Sequence, residues 1–203
     1  MDVVTFIVLV TVLVSWHWMD RADKSSLMLI PARCRQKKEW HRLITHAFIH
    51  ADWMHLAFNM FVLYEFGRVV NQDLSGLGWM GLPALYLSGI VAGAIPALQK
   101  HRFNPSYRSL GASGAVSAVL LAFIVLHPTH TLLLFFVIPI PAVLAGMLFF
   151  WYESRMHRRG GTHISHDAHL GGALLGTAWV IFFVPGSLMS FSVGWNQILT
   201  IIT

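Results

Sequence analysis

Of 203 residues, 56% are hydrophobic and 11% charged, about half the charged share of an ordinary soluble domain. A mean hydropathy of +0.61 excludes a disordered chain, a coiled coil and an ordinary soluble enzyme, and the single cysteine, Cys34, excludes a disulfide framework or a cysteine-based zinc ribbon. The net charge of +5 comes from basic residues that punctuate long apolar runs, which suits loops flanking membrane spans and argues against nucleic acid as a partner.

An apolar stretch of about 18 residues crosses the hydrocarbon core, and interfacial anchors let a shorter one do so. The first span is expected at 3–19, where Trp16 and Trp18 suit the interface. Asp20-Arg21-Ala22-Asp23-Lys24 follows with no small-residue cleavage site, so this segment reads as a retained helix and not a signal peptide. Residues 20–50 are polar and basic, long for a plain connector. Further spans are expected at 52–70, 79–98, 112–127, 131–152 and 167–184. Pro139 and Pro141 interrupt the fifth, and Pro185-Gly186 stops the sixth. The tail from Ser187 is too short and too broken by Gly and Asn for a seventh crossing. No repeat or low-complexity segment is present. The expectation is one all-α integral membrane domain, residues 1–203, of six transmembrane helices with a long, partly embedded first loop.

Polar groups inside spans are expensive, so the few present are informative. His55 and Asn59 in the second span stand four residues apart, on one helical face, as donors aimed at a common point or as a helix–helix hydrogen bond. The fourth span opens with Gly111-Ala112-Ser113-Gly114. A serine at a helix start has unpaired backbone N–H groups beside it, a site for developing negative charge, although small residues also make a packing seam. The sixth opens with Ala168-His169, and His169, Gly172 and Gly176 share a face at i, i+3 and i+7. If Gly172 and Gly176 admit the fourth helix at close range, His169 reaches Ser113 as base to nucleophile.

Parity strengthens this reading. The second, fourth and sixth spans are entered from the same side of the membrane, so three separate segments place polar groups at similar depth. No acid completes a triad in the sequence. Asp167 points about 200° away from His169 at ~100° per residue, and Glu65 lies well past Asn59. A Ser–His dyad is what remains.

These residues resemble the rhomboid family of intramembrane serine proteases. The resemblance runs from the loop near Trp40 to Gly176 and rests on His-x-x-x-Asn (His55, Asn59), Gly-x-Ser-Gly (Gly111 to Gly114) and Ala-His-x-x-Gly-x-x-x-Gly (Ala168 to Gly176). The stretch Thr45-His46-Ala47-Phe48-Ile49-His50 resembles the family's segment just before the second span. Trp40-His41-Arg42 departs from the family's adjacent Trp-Arg by one inserted residue. The resemblance implies a six-helix rhomboid-like bundle with Ser113 as nucleophile and His169 as general base. His55 and Asn59, with Gly111 and the Ser113 N–H, would form the oxyanion and substrate-binding site, and Gly172 and Gly176 the helix-packing seam. It implies no cofactor and no metal. The partners would be transmembrane protein substrates and the lipid bilayer, and the location a bacterial inner membrane. The proline-broken fifth helix is the expected lateral gate.

Two other readings compete. His46-x-x-x-His50 and His163-x-x-His166-x-x-His169 have spacings that suit a metal-dependent membrane enzyme, and a non-catalytic binder of transmembrane helices would share the fold. The charges add a conflict. Of 14 Lys and Arg, only Arg68 lies near the even-numbered face, so the positive-inside rule puts the site's mouth in the cytoplasm, where resemblance to bacterial members implies the reverse. The family orientation is the one expected here.

Overall fold

The structure, a computed structural model, describes residues 1–21, 23–134, 137–159 and 165–202. Helix α1 (Val3–Met19) starts at Asp2, whose carboxylate accepts from the Thr5 N–H at 2.9 Å. The first loop folds into two short helices, α2 (Pro31–Lys37) and α3 (Arg42–Thr45), and a 3-10 turn, His46–Phe48. Buried Arg42 organises that loop: its guanidinium pairs with Glu39 at 2.6 Å and donates to the carbonyls of Ser25 and Met28. Trp40 stays exposed.

Helix α4 (Trp53–Asp73) is capped by Asp52, which accepts from the His55 N–H at 2.8 Å. A 3-10 segment, Leu74–Met80, leads into α5 (Gly81–Lys100), and α6 runs over Ser113–Leu126. Nearly every residue of α6 is buried, as expected of a helix apolar on all sides, and it packs between α4, α5 and a later helix, α8 (His166–Phe183). Helix α8 (His166–Phe183) and α9 (Ser187–Ile202) are bent by 113° at the break between them.

Five of the six expected spans correspond to α1, α4, α5, α6 and α8. The fifth does not. Residues expected to open it form an antiparallel hairpin, β1 (Thr131–Leu134) with β2 (Ile138–Pro141), and the helix that follows, α7, begins only at Ala142 and runs to Arg159. Pro139 and Pro141 lack the N–H a helix interior requires, and a two-stranded ribbon tolerates them at its edge. They therefore kink no helix, and the expected proline-broken gate loses its basis. The tail is also helical as α9, where a broken segment was expected.

By length and hydropathy, Trp53–Lys100 is sufficient to cross a membrane, and α8 with α9 pass the same test as a bent pair. Helices α1 and α6 are apolar but shorter. Among the described residues six crossings are thus not established by these criteria.

Candidate active site

The segment that delivers Ser113 is tied down from three directions. Leu29 and Ser109 exchange backbone hydrogen bonds at 2.9 and 3.0 Å, fixing it to the first loop. The Gly111 N–H donates to the His46 carbonyl at 2.9 Å, and the Ala112 N–H donates to His50 Nε2 at 3.3 Å. His50 in turn presents Nδ1 to Ser15 Oγ at 2.8 Å, and Ser15 donates to the Phe48 carbonyl at 2.9 Å. Accepting at Nε2 assigns the proton to Nδ1, so a neutral ring joins α1, the first loop and the turn before Ser113. Burial favours that state, pushing His50 down to about 3 and His46 down to about 4. His46 Nδ1 donates to the Arg42 carbonyl at 2.8 Å. The His46–His50 pair is thus engaged with protein partners at His46 Nδ1 and at both His50 nitrogens, as scaffold. The sequence placed His50 in a family-like segment and in a metal-ligand spacing; its bond to Ala112 is long-range and invisible to local spacing.

Gly111 has φ +112, a conformation that favours glycine, and it also lies under His55: an added Cβ would sit 2.6 Å from His55 Cε1 and 2.8 Å from Nε2. Both constraints select Gly there, and both bring His55 to the turn two residues before Ser113. Asn59 is buried one turn along, and its Nδ2 donates to the His55 carbonyl at 2.8 Å. One amide hydrogen of Asn59 thus goes to its own helix, leaving the second for another acceptor. Ser113 is the first residue of α6. The preceding Ala112 supplies no side-chain cap, so the first-turn N–H groups remain without one.

The glycines bring α8 against α6 as the spacing predicts. A Cβ at Gly172 would overlap the Gly114 carbonyl, and one at Gly176 the Ala118 carbonyl. Gly93 of α5 faces the Ala168 carbonyl and the Gly114 Cα, each 3.1 Å from an added Cβ, so three backbones meet beside Ser113. Gly114 adjoins Ser113, and Gly172 lies one turn beyond His169. Ser113, Ser165, Asp167 and Ala168 line one narrow cleft.

An acid is present after all, and it comes from α7. Glu153 Oε1 lies 3.1 Å from His169 Nδ1, and its Oε2 lies 2.7 Å from His166 Nδ1. The expectation of a bare dyad is corrected on this point: α7 ends beside the start of α8, and a buried carboxylate there takes imidazole partners. Asp167 turns away, its nearest partner being His157 at 4.0 Å. Of the histidine series noted in the sequence, His166 and His169 converge on Glu153, and His163 lies outside the described residues.

The packing sets α8, which carries His169, against α6, which Ser113 opens, and places the Glu153 carboxylate at His169 Nδ1. The Rhomboid domain model matches residues 37–186, well over half the chain, and the protein belongs to the rhomboid family, whose members are membrane-embedded. It is 35% identical over 184 residues to RHOMBOID-like protein 12, mitochondrial, of Arabidopsis thaliana, covering 83% of this chain and 54% of that one. Rhomboid protein 1, mitochondrial, of Saccharomyces cerevisiae is 34% identical over 145 residues, covering 68% and 40%. The human presenilin-associated rhomboid-like protein, mitochondrial, is 29% identical over 187 residues, covering 88% and 48%. The chain thus spans about half the length of these curated relatives. Their mitochondrial names lend no support to the bacterial inner membrane expected from the sequence.

Proposed function

We propose that the protein is an intramembrane serine endopeptidase that cuts transmembrane segments of other membrane proteins within the lipid bilayer. The observation that carries this is the glycine contact of α8 on α6 at Gly172 and Gly114, which draws His169 toward Ser113, with Glu153 at the far nitrogen of the imidazole.

His169 Nε2 accepts the Ser113 hydroxyl proton as Oγ attacks the scissile carbonyl. Glu153 holds His169 in the Nδ1–H tautomer, which leaves Nε2 open as the base, and it stabilises the imidazolium that forms. The oxyanion is met by the uncapped N–H of Ser113, His55 and the remaining Asn59 amide hydrogen. One such donor contributes about 3–4 kcal/mol in the transition state. His169 then returns the proton to the leaving amine, and water arriving at the mouth hydrolyses the acyl-enzyme.

A serine-directed fluorophosphonate tests this against the two competing readings. An adduct mapped to Ser113, and lost on His169→Ala with the helical fold retained, is expected. Failure of Ser113 to react in folded protein overturns the protease and leaves the helix binder. A chelator-dependent hydrolysis that survives Ser113→Ala overturns it in favour of the metal enzyme.

A further inference from the structure

Glu153, His166 and His169 do more than support a serine. One ligating atom from each, an imidazole nitrogen of either histidine and a carboxylate oxygen, lies within 4.8 Å of the others, and both Nδ1 atoms face the carboxylate. Glu153 and His166 are buried, and His169 is partly so. Two imidazoles and one carboxylate, with water as a fourth ligand, form a donor set that zinc takes at about 2.0–2.2 Å in tetrahedral geometry. Tetrahedral ligands at that length stand roughly 3.4 Å apart. The carboxylate contacts of 2.7 and 3.1 Å, one to each oxygen, are near this scale. The i, i+3 spacing on α8 holds both rings on one face, and α7 supplies the carboxylate from across the helix pair.

The site also has an electrostatic reason to take a cation. An apolar surrounding penalises a buried carboxylate, and a bound cation offsets that cost. Among the described residues, His166 Nε2 is buried with no hydrogen-bond partner. Moving the His166 proton from Nδ1 to Nε2, as metal ligation at Nδ1 requires, therefore breaks no bond at Nε2.

We propose that Glu153, His166 and His169 form an inhibitory site for a divalent transition cation, zinc foremost, that switches off His169. The ion takes the Nδ1 lone pair of each ring, and each Nδ1 proton is replaced by one on Nε2, with no net loss of protons from the rings. His169 then carries hydrogen at Nε2, the nitrogen that must accept the Ser113 proton. The base is disabled, and the carboxylate that orients it is occupied by the metal. Inhibition rests on the protease reading above; the binding itself does not.

The test titrates zinc into chelator-washed protein in detergent micelles against a chromophoric competitor. Wild type and Ser113→Ala should each bind one tight zinc with equal affinity. Glu153→Gln and His166→Gln should each weaken it by at least about tenfold, the scale on which a change merely around a metal site acts. Equal binding in all four, or no binding by wild type, overturns the site. Should either ligand variant fail to fold, zinc-edge X-ray absorption of wild type decides instead: two imidazoles and a carboxylate oxygen are expected, and a shell without both imidazoles overturns it. In cleavage assays zinc should inhibit wild type reversibly, and bound zinc without inhibition overturns the switch. If wild type cleaves nothing, the protease reading fails while the titration still decides the metal site.

Discussion

A methyl group at Gly172 tests the helix approach on which the proposed chemistry depends. A Cβ there overlaps the Gly114 carbonyl oxygen, whereas ordinary van der Waals contact takes 3.4–4 Å. The obstruction is backbone, so no side chain can swing aside, and relief requires α8 to withdraw from α6 by roughly an ångström or more. Gly114 adjoins Ser113 and Gly172 is one turn from His169, so the displacement passes almost directly into the separation of nucleophile and base. Misplacement of that size reduces rate by about 100-fold, and overpacking of this kind destabilises by about 1–3 kcal/mol. Gly172→Ala should therefore retain helical structure with a lowered unfolding midpoint and lose about two orders of magnitude in kcat. Gly172→Val should be worse. Gly76→Ala is the control, since a Cβ there meets nothing within 4 Å, and its effect should stay within about twofold. The assay is turnover of a reconstituted transmembrane reporter, with the unfolding midpoint read on the same preparation. Wild-type kcat in Gly172→Ala would refute the reasoning.

Glu153→Gln should lower kcat by about 10- to 1,000-fold with little change in KM and shift the acid limb of the pH–rate profile, whereas a purely structural role predicts a lowered midpoint and an unmoved profile. Asn59→Ala should keep reaction with a serine-directed probe but slow peptide cleavage by about 10- to 1,000-fold, and stability lost with turnover kept would defeat its oxyanion role. Burial holds His46 and His50 neutral, down to about 4 and about 3, so between those values and the unfolded ~6.5 only the unfolded chain takes up these protons. The unfolding midpoint should accordingly be level above pH ~7 and fall as the pH is lowered from ~6.5 toward ~4, and a midpoint unchanged across that window would contradict the assignment.

Apolar runs and glycine spacing carried most of the fold. The apolar run after residue 2 and that from residue 52 became α1 and α4, and the Gly172–Gly176 spacing on α8 predicted its seat on α6. The fifth segment failed because hydropathy alone does not distinguish an apolar hairpin from an apolar helix; Pro139 and Pro141 held the missing information and were read as kinks. Ser113, His169 and His55 were legible because polar groups in apolar helices stand out. Glu153 was not, because its partners are on another helix and no local period links them. The usable signal was general: a carboxylate at the end of an apolar helix must find a donor, and His166 and His169 were the candidates. His50 escaped for a related reason, since its bonds to Ser15 and Ala112 are both long-range.

The proposal that Ser113 cuts peptide bonds inside the membrane is tested most directly by mass spectrometry of a transmembrane reporter co-reconstituted with the protein in liposomes. Wild type should generate one or a few new termini within the reporter's membrane segment, and Ser113→Ala, equally folded and equally reconstituted, should generate none. The same termini from Ser113→Ala, or an intact reporter after prolonged incubation of folded wild type with several different transmembrane segments, would contradict it.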